Sequence, residues 1–340
     1  MRYIGGKSLL LEEIYSQIQD KKDIRSVMDL FSGSGVVGSF FASKGYNIIS
    51  NDFLYFSYVL SRGTTGLKNK PTFINLGISD VFSYLNNLKL SDTNYSLEDC
   101  FIYENYSPHE NCKRMYFQNE NAIKIDIIRM QIEDWKKSSQ INEDEYYCLL
   151  AALIKAIPYV SNITGTYGAY LKYWDKRTYN PLTLTKPKLD EQIYRAQCFN
   201  RDYLELLSQK VDLIYADPPY NAREYLPNYH ILETVAKYDN PEVKGVTGLR
   251  EYKKQKSTFC KKGTVEKAFT DLLERANSKY ILISYNNEGL MNIERLRELC
   301  KRYALAGSFH ATEISYRRYK NKIPNNNEGL KEQLYFLEKQ

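Results

Sequence analysis

Ser26-Val27-Met28-Asp29-Leu30-Phe31-Ser32-Gly33-Ser34-Gly35, followed by Val36 to Ser43 and then Asn47 to Ser50, is the stretch that decides the architecture. Ser26 to Phe31 is a short apolar run ending in a glycine-rich turn, which reads as a buried parallel strand. Val36 to Ser43 restarts as a helix, and Asn47 to Ser50 is a second strand. Strand, tight turn, helix and strand in that order open a doubly wound α/β sheet. Glycines in the turn let the backbone bend sharply and approach a ligand closely, because no Cβ stands in the way.

The pattern extends outward in both directions. Ser8 to Gln19 places Leu9, Leu10, Ile14 and Ile18 at roughly helical spacing, with Ser8 as a candidate N-cap. From about Pro71 to Pro187 the strand–helix alternation is lost. Helical periodicity marks Glu120 to Trp135 and Glu143 to Ile157, and a polar, aromatic, glycine-containing stretch follows from Tyr159 to Trp174. These features predict a mainly helical lobe over residues 71–189, inserted into a sheet domain made of residues 1–70 and 190–340. Alternation resumes with Gln197 to Phe199, Arg201 to Leu207 and Val211 to Ala216. Further strands are expected over Tyr280 to Ser284, Leu305 to Phe309 and Leu334 to Leu337, with a helix from Ile293 to Lys301.

Composition excludes several classes. Hydrophobic residues are 43% and charged residues 26%, enough apolar material for a substantial core. No apolar run approaches the roughly 20 residues that span a bilayer. Met1-Arg2-Tyr3-Ile4-Gly5-Gly6-Lys7 carries no apolar stretch behind its charge, so no secretory signal is expected. Six cysteines are scattered without a C-x-x-C pair, and His109, His230 and His310 are equally dispersed. Neither a disulfide framework nor a metal site is expected, and the cysteine usage suits a reducing cytoplasm.

The net charge of +6 is a mild excess, but its distribution is uneven. Lys244, Arg250, Lys253, Lys254, Lys256, Lys261 and Lys262 form one cluster, and Arg317, Arg318, Lys320 and Lys322 form another. Taken alone, each reads equally well as a solvated loop. Tyr252, Phe259, Tyr316 and Tyr319 interleave with these charges, a combination that suits contact with phosphates and bases.

Two motifs carry chemistry. In the first, Asp29 lies inside a strand, where a buried carboxylate needs a partner; a ligand ammonium would serve. Asp52 ends the second strand, where a carboxylate can accept bonds from ribose hydroxyls. Gly33, Gly35 and Gly38 also satisfy G-x-G-x-x-G, the nicotinamide-dinucleotide pattern. Asp29 disfavours that reading, since a dinucleotide fold has an apolar residue there, and Phe31-Ser32 delays the turn.

In the second, Leu213-Ile214-Tyr215-Ala216 runs into Asp217-Pro218-Pro219-Tyr220. An apolar strand thus ends in a carboxylate, two residues of fixed φ and an aromatic ring, at the sheet edge where open α/β folds bind ligands. The Asp217 carboxylate and the Pro218 carbonyl can accept the two N–H bonds of a planar amine. Such acceptors draw the nitrogen toward tetrahedral geometry and localise its lone pair, and the prolines keep them in place. Tyr220 offers a face for an extruded base.

With these motifs in this order, the chain resembles the Dam-like, adenine-specific (N6) DNA methyltransferases of the alpha order. The resemblance covers nearly the whole length. It implies a Rossmann-like S-adenosylmethionine-dependent sheet with an inserted target-recognition lobe, and methyl transfer to the N6 amine of adenine in double-stranded DNA by base flipping. It further implies donor contacts from Tyr3, Lys7, Asp29, Phe31, Ser32, Gly33, Gly35 and Asp52. Asn200-Arg201-Asp202-Tyr203 resembles the family's next motif, which implies that Asp202 and Tyr203 meet the donor's adenine; a helix cap is the alternative for Asp202. Tyr159 to Gly168 resembles the target-lobe signature and makes Asn162 and Tyr167 candidate DNA contacts, together with Lys253, Lys254, Arg317, Arg318 and Lys320. Ser284-Tyr285-Asn286-Asn287 resembles a strand-end motif lining the target pocket, with a simple strand-to-turn as the alternative. Pairing with a restriction endonuclease is a further implication. The competing readings are methylation of RNA or of a protein glutamine amide, and a DNA-binding relative without turnover.

Overall fold

The computed structural model describes residues 5–187, 194–315 and 331–340. The described strands, in chain order, are β1 (Ser26–Asp29), β2 (Asn47–Asn51), β3 (Gln197–Phe199), β4 (Val211–Ala216), β5 (Val243–Lys244), β6 (Leu249–Arg250), β7 (Ser278–Asn286), β8 (His310–Ser315) and β9 (Lys331–Glu338). The chain forms two compact units. One holds residues 5–53, Ala196–Tyr225 and Lys254–Gln340, and the other Leu54–Arg195 and Leu226–Lys253.

The first unit is built on a seven-stranded sheet of order β3-β2-β1-β4-β7-β9-β8. The pairings β3–β2, β2–β1, β1–β4 and β4–β7 are parallel, whereas β9 runs antiparallel to both β7 and β8. Val211 to Ala216 is buried almost throughout, which is why its sequence is nearly continuously apolar rather than alternating. Helix Val36–Ser43 packs on β1 and β2. Helices Val265–Arg275 and Ile293–Tyr303 place Phe269, Leu272, Leu296 and Leu299 in one core with Met28, Ile214, Ile281, Ile283 and Tyr335. Asn292 starts the second of these helices by accepting a bond from the Arg295 N–H at 3.0 Å.

Three expectations are corrected here. The helix expected from Ser8 begins at Leu11, and its N-cap position is Leu10, which makes no side-chain cap bond; Ser8 lies in the preceding turn. The segment 201–207 is helical only over Tyr203–Leu206. Leu305 to Phe309 is a turn rather than a strand, because Gly307 takes φ +79 and the Ser308 N–H closes back on the Leu305 carbonyl at 2.9 Å. The strand starts at His310 instead.

The second unit is mainly helical, with helices Tyr55–Arg62, Val81–Asn87, Phe101–Tyr106, Asn119–Lys137, Glu143–Ala156 and Leu226–Lys237 and the small β5–β6 hairpin. It is wider than the lobe expected over 71–189, since it takes in residues 54–70 and 226–253 as well. Asn142 and Glu145 form a reciprocal capping box at 3.0 Å in each direction, and Pro158 lies in the 3-10 turn that follows helix Glu143–Ala156. Fully buried Glu233 accepts the Tyr55 and Phe56 N–H groups at the start of their helix. Gly63 allows a close approach: a Cβ there would lie 2.1 Å from the Tyr147 carbonyl oxygen.

Candidate active site

β1 and β4 are neighbours, with Asp29 in register with Tyr215. From β1 the chain proceeds to β2 and β3 on one side, and from β4 to β7 on the other. This reversal of strand order opens a crevice at the carboxyl ends of the two strands. Both motifs singled out in the sequence leave the sheet there, Asp29 to Gly35 from β1 and Asp217 to Tyr220 from β4.

On the β1 side, Gly33 and Gly35 take φ +52 and +75, which side chains disfavour. The turn is closed by the Gly35 N–H on the Ser32 carbonyl at 2.7 Å and tied to β2 by the Ser32 N–H on the Asn51 carbonyl at 2.8 Å. Asp52 accepts the Gly33 N–H at 2.7 Å, and its carbonyl accepts the Asn200 amide at 2.8 Å. Asn51, which the sequence did not single out, bonds through its amide to the carbonyls of Leu30 and Arg201 and accepts the Arg201 N–H. It joins β1, β2 and the loop after β3.

Asp29 is buried. Its Oδ2 accepts the Gly38 N–H at 3.1 Å, while Oδ1 has no hydrogen-bond partner among the described residues. Burial, together with the charges of Asp217 and Asp52, pushes its carboxyl up to about 8, against the pull of the nearby Gly38 and Phe31 N–H groups. A buried acid with one unmatched oxygen beside a glycine turn can receive a cation.

On the β4 side, Asp217 is partly open, and Lys7 reaches its Oδ1 at 2.8 Å. Lys7 also touches Glu332 Oε1 at 3.2 Å and the Gly5 carbonyl at 3.2 Å. Burial and the charge of Glu332 raise the Asp217 carboxyl above its ordinary range, and the Lys7 ammonium opposes them. Burial acts to lower the Lys7 value, but Asp217 and Glu332 outweigh it and hold the ammonium firmly charged. The resemblance implies a donor contact for Lys7; in this structure its charged partners are the protein carboxylates of Asp217 and Glu332. Glu332 was missed altogether. No signal marks it, because it meets Lys7 only through the pairing of β9 with β7.

The remaining predicted residues fall into several groups. Tyr220 is buried, its carbonyl accepting the Leu290 N–H at 2.7 Å, and the position of a Cβ on Gly5 is 3.7 Å from its ring. The ring therefore presents no open face in this structure. Phe31, Tyr203 and Phe259 pack against one another at centroid distances of 5.1–5.6 Å. Phe259, expected among surface charges, is thus a core residue, and Arg250 is buried against Asp239. Asp202 caps its helix, accepting the Leu204 N–H at 2.9 Å. Lys253 and Lys254 are exposed. Asn162 and Tyr167, expected as DNA contacts, are buried. The Asn162 amide donates to the Met115 and Leu171 carbonyls, and its oxygen accepts the Asp175 N–H at 3.0 Å. The Tyr167 hydroxyl pairs with Ser161 at 2.9 Å. Both hold the 159–175 loop in shape. Tyr3, Arg317, Arg318 and Lys320 lie outside the described residues.

A mostly parallel sheet with one reversed strand, a glycine turn beside a buried acid and a proline-stiffened acidic strand end define a Rossmann-like methyltransferase. The family of D12 class N6 adenine-specific DNA methyltransferases matches residues 3–299, and the chain belongs to it. It is similar to the Type II methyltransferase M.FokI of Planomicrobium okeanokoites, 43% identical over the whole chain and 53% of that protein. It is similar also to the modification methylase StsI of Streptococcus sanguinis, 41% identical over the whole chain and 52% of that protein. The Type II methyltransferase M.NlaIII of Neisseria lactamica is 37% identical over the whole chain and 99% of its own length. The chain therefore spans about half the length of the first two relatives and nearly all of the third.

Proposed function

We propose that this chain transfers a methyl group from S-adenosylmethionine to the N6 amine of adenine in double-stranded DNA. The observation that carries this reading is the pair of acids at the ends of adjacent strands: Asp29 with an unmatched buried oxygen, and Asp217 poised at the opening. When bound, the donor supplies an electrophilic methyl carbon on a positively charged sulfur. Asp29 holds the donor's ammonium, the Gly33–Gly35 turn lies against it, and Asp52 accepts its ribose hydroxyls. Asp217 and the Pro218 carbonyl accept the two N–H bonds of the adenine amine and turn its lone pair outward. No base is needed before transfer, since the methylated nitrogen is itself acidic. Asp217, raised above the usual carboxylate range, then takes the released proton.

Flipping the base costs a few kcal/mol of lost stacking and pairing, recovered in part by aromatic contacts. Tyr220 gives such a contact once the segment at Gly5 shifts. DNA contact falls to exposed side chains of the loop that Asn162 holds, Tyr159, Lys172, Tyr173 and Lys176, with Lys253, Lys254 and the Arg317–Lys320 cluster on the phosphates. The second unit thereby serves target recognition. The work takes place in the cytoplasm, and the names of the relatives suggest a modification enzyme paired with a restriction endonuclease.

The test is transfer of labelled methyl from S-adenosylmethionine to duplex DNA, structured RNA and protein by the native chain and by Asp217→Ala. The expected result is label on adenine N6 of duplex DNA only, abolished by Asp217→Ala with donor binding kept within several-fold. Transfer by the variant at the native rate, or label on RNA or protein instead, would overturn the reading.

A further inference from the structure

Glu332 is the one buried carboxylate of the site to which no role has been given so far. It sits on β9, 2% exposed, opposite Asn286 of β7. Its Oε1 accepts the Ser284 hydroxyl at 2.5 Å and faces Lys7 Nζ at 3.2 Å. A carboxylate so buried is costly unless bound, and two partners hold it in place. The three hydrogens of the Lys7 ammonium are matched by Asp217, Glu332 and the Gly5 carbonyl, so the cation is shared between two acids.

That sharing matters when a planar amine arrives. Asp217 has to offer an oxygen to the amine while Lys7 already occupies one. With no second acid, Lys7 would give its full charge to Asp217 and weaken it as an acceptor. Building on the methyl-transfer reading above, we infer that Glu332 is a positioning residue that holds Lys7 between two carboxylates, so that Asp217 stays aligned and free to accept the substrate amine. The charged and titratable groups around Asp217 are Lys7, Glu332 on β9, Asp29 on β1 and Tyr215 on its own strand, with the Ser284 hydroxyl from β7 behind Glu332. Of these, Lys7 favours the ionised form of Asp217 and Glu332 opposes it. Removing the Glu332 charge thus makes Asp217 a stronger acid and a poorer acceptor.

The experiment is the pH profile of kcat, at saturating donor and duplex DNA, for the native chain, Glu332→Gln and Glu332→Asp. Saturation keeps the titration of Asp29 out of the profile, because that acid acts on donor binding. Glu332→Gln is expected to lose roughly 10–100-fold in kcat, the usual scale for a residue acting through a catalytic neighbour, with KM for DNA little changed. Its acid limb is expected at lower pH than that of the native chain. Glu332→Asp keeps the charge at shorter reach, so its limb falls between the two and part of the rate returns. In a Lys7→Met background, Glu332→Gln should cost little further rate, since its partner is gone. Donor binding by calorimetry establishes that each variant is folded, and Glu332→Asp alone suffices if Glu332→Gln is not. An acid limb that stays in place or moves up in the folded variants overturns the inference, whether or not the rate falls. If Asp217→Ala still abolishes transfer in that case, only the role of Glu332 is lost and the methyl-transfer reading stands.

Discussion

Asp29→Asn should make the donor-free protein more stable at neutral pH while destroying its affinity for the donor. The Asp29 carboxyl has an ordinary value of 3.8 and is pushed up to about 8 in the fold. A carboxyl raised in this way binds a proton on folding, so the folded state loses stability as pH rises between those two values. At about pH 7.5 the penalty reaches about 5 kcal/mol, and at about pH 5 it is under about 2 kcal/mol. Asparagine removes the titration and can keep the bond from the Gly38 N–H, but its amide nitrogen is left buried without an acceptor, at a cost of about 1–3 kcal/mol. The balance is a gain of about 2–4 kcal/mol at about pH 7.5 and little gain, or a loss, at about pH 5. For a protein of this size that is on the order of 3–6 °C in melting temperature at the higher pH. Thermal unfolding of both proteins across this pH range, with and without saturating S-adenosylmethionine, is the assay. Added donor should reverse the order, because only the native chain binds it well. A stability difference that is the same at both pH values would refute the account of Asp29 as a buried acid awaiting a cation.

Donor affinity of the native chain should tighten as pH rises from about 5.5 to 7.5, by up to about tenfold per unit, as Asp29 gives up its proton. Calorimetry in buffers of different ionisation enthalpy would detect the released proton, and a flat profile would contradict the assignment. Gly63→Ala should destabilise the helical unit by about 1–3 kcal/mol, since the new Cβ meets the rigid Tyr147 carbonyl; unchanged melting would mean that the helices separate easily. Asn162→Ala should lower the melting temperature by removing its bonds to three partly buried backbone groups, with the salt slope of DNA binding unchanged. Normal melting with a shallower slope would return Asn162 to the DNA surface.

Where sequence and structure agree, the signal is local. The apolar run of β4 and the helix from Val36 announce themselves through period and composition, and the two motifs follow directly from the strands that carry them. Glycine turns and proline-stiffened ends are properties of a few adjacent residues, so their place at the sheet edge could be read directly. Failures arise where the outcome depends on partners far along the chain. Asn162 looks the same in sequence whether it faces DNA or fastens a loop, and only the carbonyls of Met115 and Leu171 decide. Phe259 sits among lysines yet turns inward onto Phe31 and Tyr203. Lys7 and Glu332 are separated by most of the chain, and no periodicity joins them. Leu305 to Phe309 shows the opposite hazard, an apolar stretch that Gly307 bends into a turn.

The reversed strand also imposes an order of assembly. β7 and β8 are synthesised before β9, which must enter between them and pair with both. Until it does, each presents a bare row of backbone donors and acceptors, the kind of edge that invites association with another chain. Lys7, made well before β9, acquires its second acid only when this later strand has docked. The glycine turn after β1 and the acidic end of β4 can thus be in place on a nascent sheet whose charge arrangement is still unfinished, so the lysine bridge between two acids arrives with the closing of the sheet rather than with the formation of either motif.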